Sequence, residues 1–183
     1  LNFINSIEND NVRDFLRIVL SSIIVKVSNQ ESDTRFAARN KNIEDGFVFK
    51  QFIDKAKEYL TRIAEFSERA NKDVSLTLLN ADSRYLTMLA DESVDIIITS
   101  PPYANTYDYY LYHKFRKRWL DIDVKYAQNN EIGSRREYSS LKKPAEQWTI
   151  DLRKCFEEMY RLLKPDSLAF IVIGDSVIKK QLI

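Results

Sequence analysis

The spacing of apolar residues changes character twice along the chain. Asn9 and Asp10 offer a helix N-cap, and apolar residues then recur at Val12, Phe15, Leu16, Val19, Leu20 and Ile23, the spacing of one helix face. A polar stretch over residues 28–34 and the basic-aromatic run 35–39 read as a loop. Residues 47–70 predict a longer helix with Phe52, Ala56, Tyr59, Ile63 and Phe66 turned inward and a solvated face of Lys, Glu and Arg. After Asn71-Lys72-Asp73 the period shortens. Residues 74–79 predict a strand, 84–89 a short helix, and 94–99 a second, buried strand; short connections between them imply a parallel βαβ unit. Pro144 opens a further helix carrying Trp148, Leu152, Cys155, Phe156, Met159 and Leu163 on one face. Pro165 stops it, and a third strand over residues 168–173 runs into Gly174-Asp175-Ser176. The aromatic, basic stretch 104–143 is the least regular, with a helix expected near 111–120 and an irregular segment after it.

The expected class is therefore α/β, parallel strands with flanking helices. Residues 1–72 form a helical part, and residues 74–183 a βαβ part carrying the insertion 104–143. At 183 residues the whole is one domain by length. Charged residues at 30 % and hydrophobic ones at 44 % are ordinary for a soluble protein, and the net charge of +1 does not by itself name a partner. A single cysteine excludes an internal disulfide and fits a reducing cytoplasm. No apolar run approaches the ~20 residues of a membrane span. Only three glycines occur, Gly46, Gly133 and Gly174, too few and too dispersed for a glycine-rich phosphate or cofactor loop.

The most informative local feature follows the second strand: Ser100-Pro101-Pro102-Tyr103. Each proline fixes φ near −65°, lacks an N–H and pushes its predecessor toward extended geometry. The product is a stiff, non-helical shelf at a strand's carboxyl end, where α/β folds place ligands. It has free carbonyls, a hydroxyl on one side and a flat ring on the other, which suits a planar, amino-bearing molecule such as a nucleobase.

These residues, preceded by Asp95-Ile96-Ile97-Ile98-Thr99 and by a strand ending in Asn80-Ala81-Asp82, resemble the amino-group DNA methyltransferases. In that family a Ser/Asp/Asn-Pro-Pro-aromatic motif follows the fourth strand of a Rossmann-like fold. The resemblance implies S-adenosylmethionine as methyl donor, DNA as partner, a restriction-modification setting in a prokaryotic cytoplasm, and no metal. Ser-Pro-Pro-Tyr is commonest among the cytosine-N4 enzymes, which makes cytosine N4 the expected acceptor. Adenine N6, an RNA base, or a catalytically silent nucleic-acid-binding domain are the alternatives.

Residue roles follow from the same resemblance. The Ser100 hydroxyl and the Pro101 carbonyl would accept hydrogen bonds from the amino group of an extruded base, with Pro102 completing the shelf and Tyr103 stacking on the ring. Orientation matters here because a conjugated exocyclic amine is a weak nucleophile. Asp82, with Ser83 beside it, would meet the cofactor's adenine; capping the short helix is the competing role. Gly174-Asp175-Ser176 either lines the base pocket or makes a plain turn. Tyr107, in a tyrosine-rich run, either supports the base or packs in the core. Lys114, Arg116, Lys117 and Arg118, with Arg135 and Arg136, belong to a stretch with nine basic against four acidic residues, fit to neutralise phosphates or simply to face solvent. His113 has no second histidine or cysteine near it, which argues against a metal. The resemblance covers about residues 11–180 and is specific only over 76–103. The family's F-x-G-x-G cofactor loop has no counterpart, so the chain is expected to be a fragment with the base side of the site and little of the cofactor side.

Overall fold

The computed structural model describes residues 1–33, 35–178 and 181–182. In chain order the elements are α1 (Asn2–Asn5), α2 (Asp10–Val27), β1 (Gln30–Ser32), β2 (Arg35–Ala38), α3 (Phe47–Arg69) and β3 (Val94–Thr99). After these come α4 (Tyr109–Tyr112), α5 (Lys114–Trp119), α6 (Val124–Asn130), α7 (Arg135–Ser139), α8 (Glu146–Leu162), β4 (Leu163–Ile171), β5 (Val177–Ile178) and β6 (Gln181–Leu182). The mixture of helices with a parallel strand pair agrees with the expected α/β class. Two compact units are formed, one from Leu1–Leu76 with Tyr110–Asn129, the other from Thr77–Tyr109 with Asn130–Ile183.

In the first unit α2 packs against α3 and α5. The Asn9 side chain accepts the Val12 N–H at 3.1 Å. Of the residues that the spacing marks, Val19 and Ile23 are buried, Phe15, Leu16 and Leu20 half-covered and Val12 exposed, while Ile24 and Val25 are buried as well. The helix α3 differs from expectation in its packing: none of its residues is buried, Phe52, Ala56 and Tyr59 are half-covered, and Ile63 and Phe66 are exposed. The stretch read as a loop contains the antiparallel pair β1–β2, with Gln30 opposite Ala38. Its anchor is polar. The buried Gln30 amide donates to the carbonyls of Ser32 (2.7 Å) and Tyr112 (3.1 Å), which no apolar period reveals.

The second unit contains β3–α8–β4, a parallel pair joined by a helical crossover. Ile96, Ile97, Ile98 and Thr99 face Leu168, Ala169, Phe170 and Ile171 in register. The irregularity lies between Val94 and Ile96, opposite the stretch that holds Pro165 and Asp166, whose φ is 61°. Pro165 thus sits inside β4 rather than after the helix, at a place where the ladder is already broken. The strand expected to be buried is largely open, with Ile98 74 % and Leu168 61 % exposed. Parallel sheets are ordinarily covered on both faces.

Two expected elements are absent. Residues 74–79 join no ladder, and Val74, Leu76 and Leu78 are exposed. Residues 84–89 form turns instead of a helix, closed by Tyr85 N–H to the Asp82 carbonyl and Leu89 N–H to the Leu86 carbonyl, both 2.9 Å. The cause is α8, whose side chains take up this segment's polar groups. Glu158 accepts the Leu86 N–H at 2.7 Å, and Arg161 donates to the carbonyls of Leu86 and Leu89 at 3.0 Å each. The parallel crossover is accordingly made by α8, not by residues 84–89. Within 121–143, expected to be irregular, two short helices form, α6 and α7.

Candidate functional site

β3 delivers the chain to Ser100, and the two prolines then hold it extended along the strand's carboxyl end. Ser100 is exposed, Pro102 and Tyr103 are half-covered, and Pro101 is buried, so the shelf opens to solvent on its hydroxyl side. The Val172 N–H donates to the Thr99 carbonyl at 3.0 Å, continuing the parallel ladder one residue past β4. This brings the Val172 carbonyl within 3.1 Å of the Ser100 Oγ. A carbonyl can only accept, so the single hydroxyl proton of Ser100 is committed to Val172. The Ser100 oxygen then faces other groups as an acceptor. The Tyr103 hydroxyl lies 3.4 Å from it.

The two proline carbonyls differ. The Trp148 indole Nε1–H, from the first turn of α8, donates to the Pro102 carbonyl at 2.9 Å. Among the described residues no donor reaches the Pro101 carbonyl. On its exposed side the shelf therefore carries the Ser100 oxygen as an acceptor, close to the Tyr103 hydroxyl, while Pro101 is buried. Gly174 lies against that ring: a Cβ there would stand 3.6 Å from Tyr103 Cε1.

Beyond Tyr103 the chain is tied down by polar contacts. Ala104 is buried with Tyr138, Trp148 and Leu152, and Ile132 and Ala145 pack around them. The Asn105 N–H donates to the Gly133 carbonyl at 2.8 Å, and its amide to the Val177 carbonyl at 3.0 Å. The Arg135 guanidinium donates to the Thr106 carbonyl at 2.8 Å, and buried Asp108 accepts the Arg136 N–H at 2.9 Å. Buried Glu137 accepts from the Gly133 N–H at 3.1 Å and from Lys143 at 2.5 Å. Tyr107 is exposed, its ring 5.5 Å from that of Tyr109.

Asp82 belongs to the same unit but is engaged elsewhere. Its carboxylate accepts the Arg84 N–H (3.0 Å), the Arg84 Nε (3.0 and 3.2 Å) and the Arg84 Nη2 (2.6 Å). Hydrogen bonding from the Arg84 side chain holds the Asp82 carboxyl below its ordinary range, against the opposing effect of partial burial. These four contacts come from three N–H groups, because the one Nε–H is shared between both oxygens, and the Asp82 side chain is 26 % exposed. Arg84 in turn reaches Asp151, whose side chain is 9 % exposed, at 3.0 Å. Ser83 is an exposed turn residue.

The basic candidates divide between the two units. Ser100–Tyr103, Tyr107, Arg135 and Arg136 lie in the second; Lys114, Arg116, Lys117 and Arg118 lie in the first. Arg116 is structural in its contacts, donating to the Ser21 carbonyl at 3.0 Å, meeting His113 Nδ1 at 3.0 Å and pairing with Asp33. Arg118 is exposed. Among the described residues no metal-ligating cluster converges, and no helix is long and apolar enough to cross a membrane. Sequence reasoning did not find the roles of Trp148, Gly133 and the Val172 carbonyl. Trp148 was visible only as part of an apolar helix face.

Comparison with known proteins bears on this arrangement. The DNA methylase family model (N6_N4_Mtase) matches residues 94–183, which begin at β3 and include the shelf. The Type II methyltransferase M.SfiI of Streptomyces fimbriatus is 31 % identical over 97 residues, 53 % of this chain and 17 % of that protein. M.MjaI of Methanocaldococcus jannaschii is 29 % identical over 107 residues, 56 % of this chain and 33 % of that protein. M.MvaI of Kocuria varians is 23 % identical over 225 residues, 97 % of this chain and 49 % of that protein. The chain thus spans about half the length, or less, of the curated relatives it matches. No solved structure matches the chain. A family match that starts on the strand carrying the shelf, together with three methyltransferase relatives, supports the amino-group DNA methyltransferase family for this chain.

Proposed function

We propose that the chain is the base-binding portion of a DNA methyltransferase that methylates the N4 amino group of cytosine in a prokaryotic restriction-modification system. The carrying observation is the pair of acceptors at the end of β3. The Ser100 oxygen, turned acceptor by its bond to the Val172 carbonyl, and the Pro101 carbonyl, which meets no donor among the described residues, are assigned to the two N–H bonds of one exocyclic amine. Accepting both fixes the nitrogen's plane and helps to carry the positive charge that grows on it as it reacts. Tyr103 offers the extruded ring a stacking surface, worth ~1–3 kcal/mol per base. Serine at the first position favours cytosine by the resemblance described above.

The family implies S-adenosylmethionine as the methyl source. Asp82, paired with Arg84 and 26 % exposed, is the residue of this chain assigned to the cofactor's adenine, and the three dispersed glycines form no glycine-rich loop beside it. The exposed faces of β3 and β4 agree with a sheet that is completed by more chain. The exposed basic residues of the set, Arg118 in the first unit and Arg135 in the second, are assigned to phosphate contact. The test is mass analysis of nucleosides from DNA of cells expressing the intact protein, with Ser100→Ala as control. N4-methylcytosine that disappears in S100A is the expected result. N6-methyladenine overturns the choice of base, and unmodified DNA overturns the enzyme.

A further inference from the structure

We propose that Trp148 is a positioning residue for methyl transfer, acting through the Pro102–Tyr103 peptide; this rests on the reading of Ser100–Tyr103 as the base shelf. The Pro102 carbonyl and the Tyr103 N and Cα lie in one peptide plane. By donating its indole N–H to that carbonyl at 2.9 Å, Trp148 fixes the plane from which the Tyr103 side chain departs. The same bond takes one of the two lone pairs of the Pro102 carbonyl. The indole is itself held in place. It is 8 % exposed, and it packs with Ala104, Tyr138 and Leu152. Backbone on its other side approaches so closely that a Cβ at Gly133 would lie 2.9 Å from Trp148 Cδ1. Gly133 also accepts from the Asn105 N–H at 2.8 Å, two residues past Tyr103. The ring thus lies against Gly133 and packs with Ala104, and its one polar atom is aimed at the shelf.

A ring that only filled core would need no donor. Trp148→Phe keeps most of the ring and removes the N–H. In the intact protein we expect kcat to fall by roughly tenfold to a hundredfold, the scale of a small misplacement at a reacting centre, with KM for DNA changed much less. Leu162→Ala, buried at the far end of α8 and remote from Pro102, is the stability control. It should lower Tm at least as much as W148F does and leave kcat within about threefold. A W148F enzyme with wild-type kcat, or a kcat loss in L162A equal to that in W148F, overturns the positioning role and leaves the shelf reading standing. A wild-type protein that methylates nothing overturns the shelf reading and the positioning role together. A measurement free of activity covers the case in which W148F does not fold. In the indole N–H region of the NMR spectrum, assigned with Trp119→Phe, the Trp148 proton should exchange slowly with solvent. Exchange at the rate of a free indole would remove the bond and the proposal with it.

Discussion

Gly133 and Gly46 share a backbone conformation and differ in surroundings, and that difference predicts two distinct costs for the same substitution. Their φ values are 76° and 77°, in the left-handed region that L side chains rarely adopt. A Cβ at Gly46 would meet nothing within 4 Å. A Cβ at Gly133 would stand 2.9 Å from Trp148 Cδ1, 3.3 Å from its Nε1 and 3.4 Å from the Ala104 Cα. Gly46→Ala therefore isolates the conformational cost, about 1–2 kcal/mol. Gly133→Ala adds overpacking of about 1–3 kcal/mol, because the obstructing atoms are a packed indole and backbone, not the end of a flexible chain. The sum is about 2–5 kcal/mol. Urea unfolding followed by tryptophan fluorescence measures both. Trp148 reports the unit that holds Gly133 in a Trp119→Phe background, and Trp119 the unit that holds Gly46 in a Trp148→Phe background. A Gly133→Ala cost no larger than that of Gly46→Ala would refute the close approach of Gly133 to the Trp148 ring.

Arg84→Met removes the guanidinium shared by Asp82 and Asp151 and leaves the 9 % exposed Asp151 carboxylate with the Gln147 amide at 3.2 Å; about 1–3 kcal/mol should be lost in urea unfolding, and an unchanged stability contradicts the network. The same pair predicts a pH dependence. The Asp82 carboxyl is held below its ordinary value in the folded state, so its contribution is complete above about pH 4 and is lost as pH falls through the lowered folded value. Acid titration of stability should show that loss in the wild type and a flatter profile in R84M; superimposable profiles would be the failing result. Cys155 is buried, and burial pushes its thiol up, so a thiol reagent should modify it slowly in the native protein and rapidly in urea. Equal rates in the two conditions would place it at the surface instead.

The sequence by itself determined what depends on local chemistry. Proline fixes φ wherever it stands, so the shelf at residues 100–103 was legible before any contact was known. The 3.6-residue period of residues 10–27 and the β-branched run 94–99 likewise marked α2 and β3, because each pattern requires only a face to bury or a ladder to join. Only the tertiary structure decided matters that turn on which distant group arrives. Residues 74–79 have a strand's composition but no strand beside them, and residues 84–89 have a helix's period but give their backbone bonds to Glu158 and Arg161 of α8. The same long-range arrivals set the chemistry of the site. Val172 makes the Ser100 oxygen an acceptor, Trp148 donates to the Pro102 carbonyl, and Arg84 pairs with Asp82. Periodicity records which side of an element is apolar. It carries no information about which hydrogen-bond partner a polar atom will meet, and at this site those partners lie from two to seventy-two residues away.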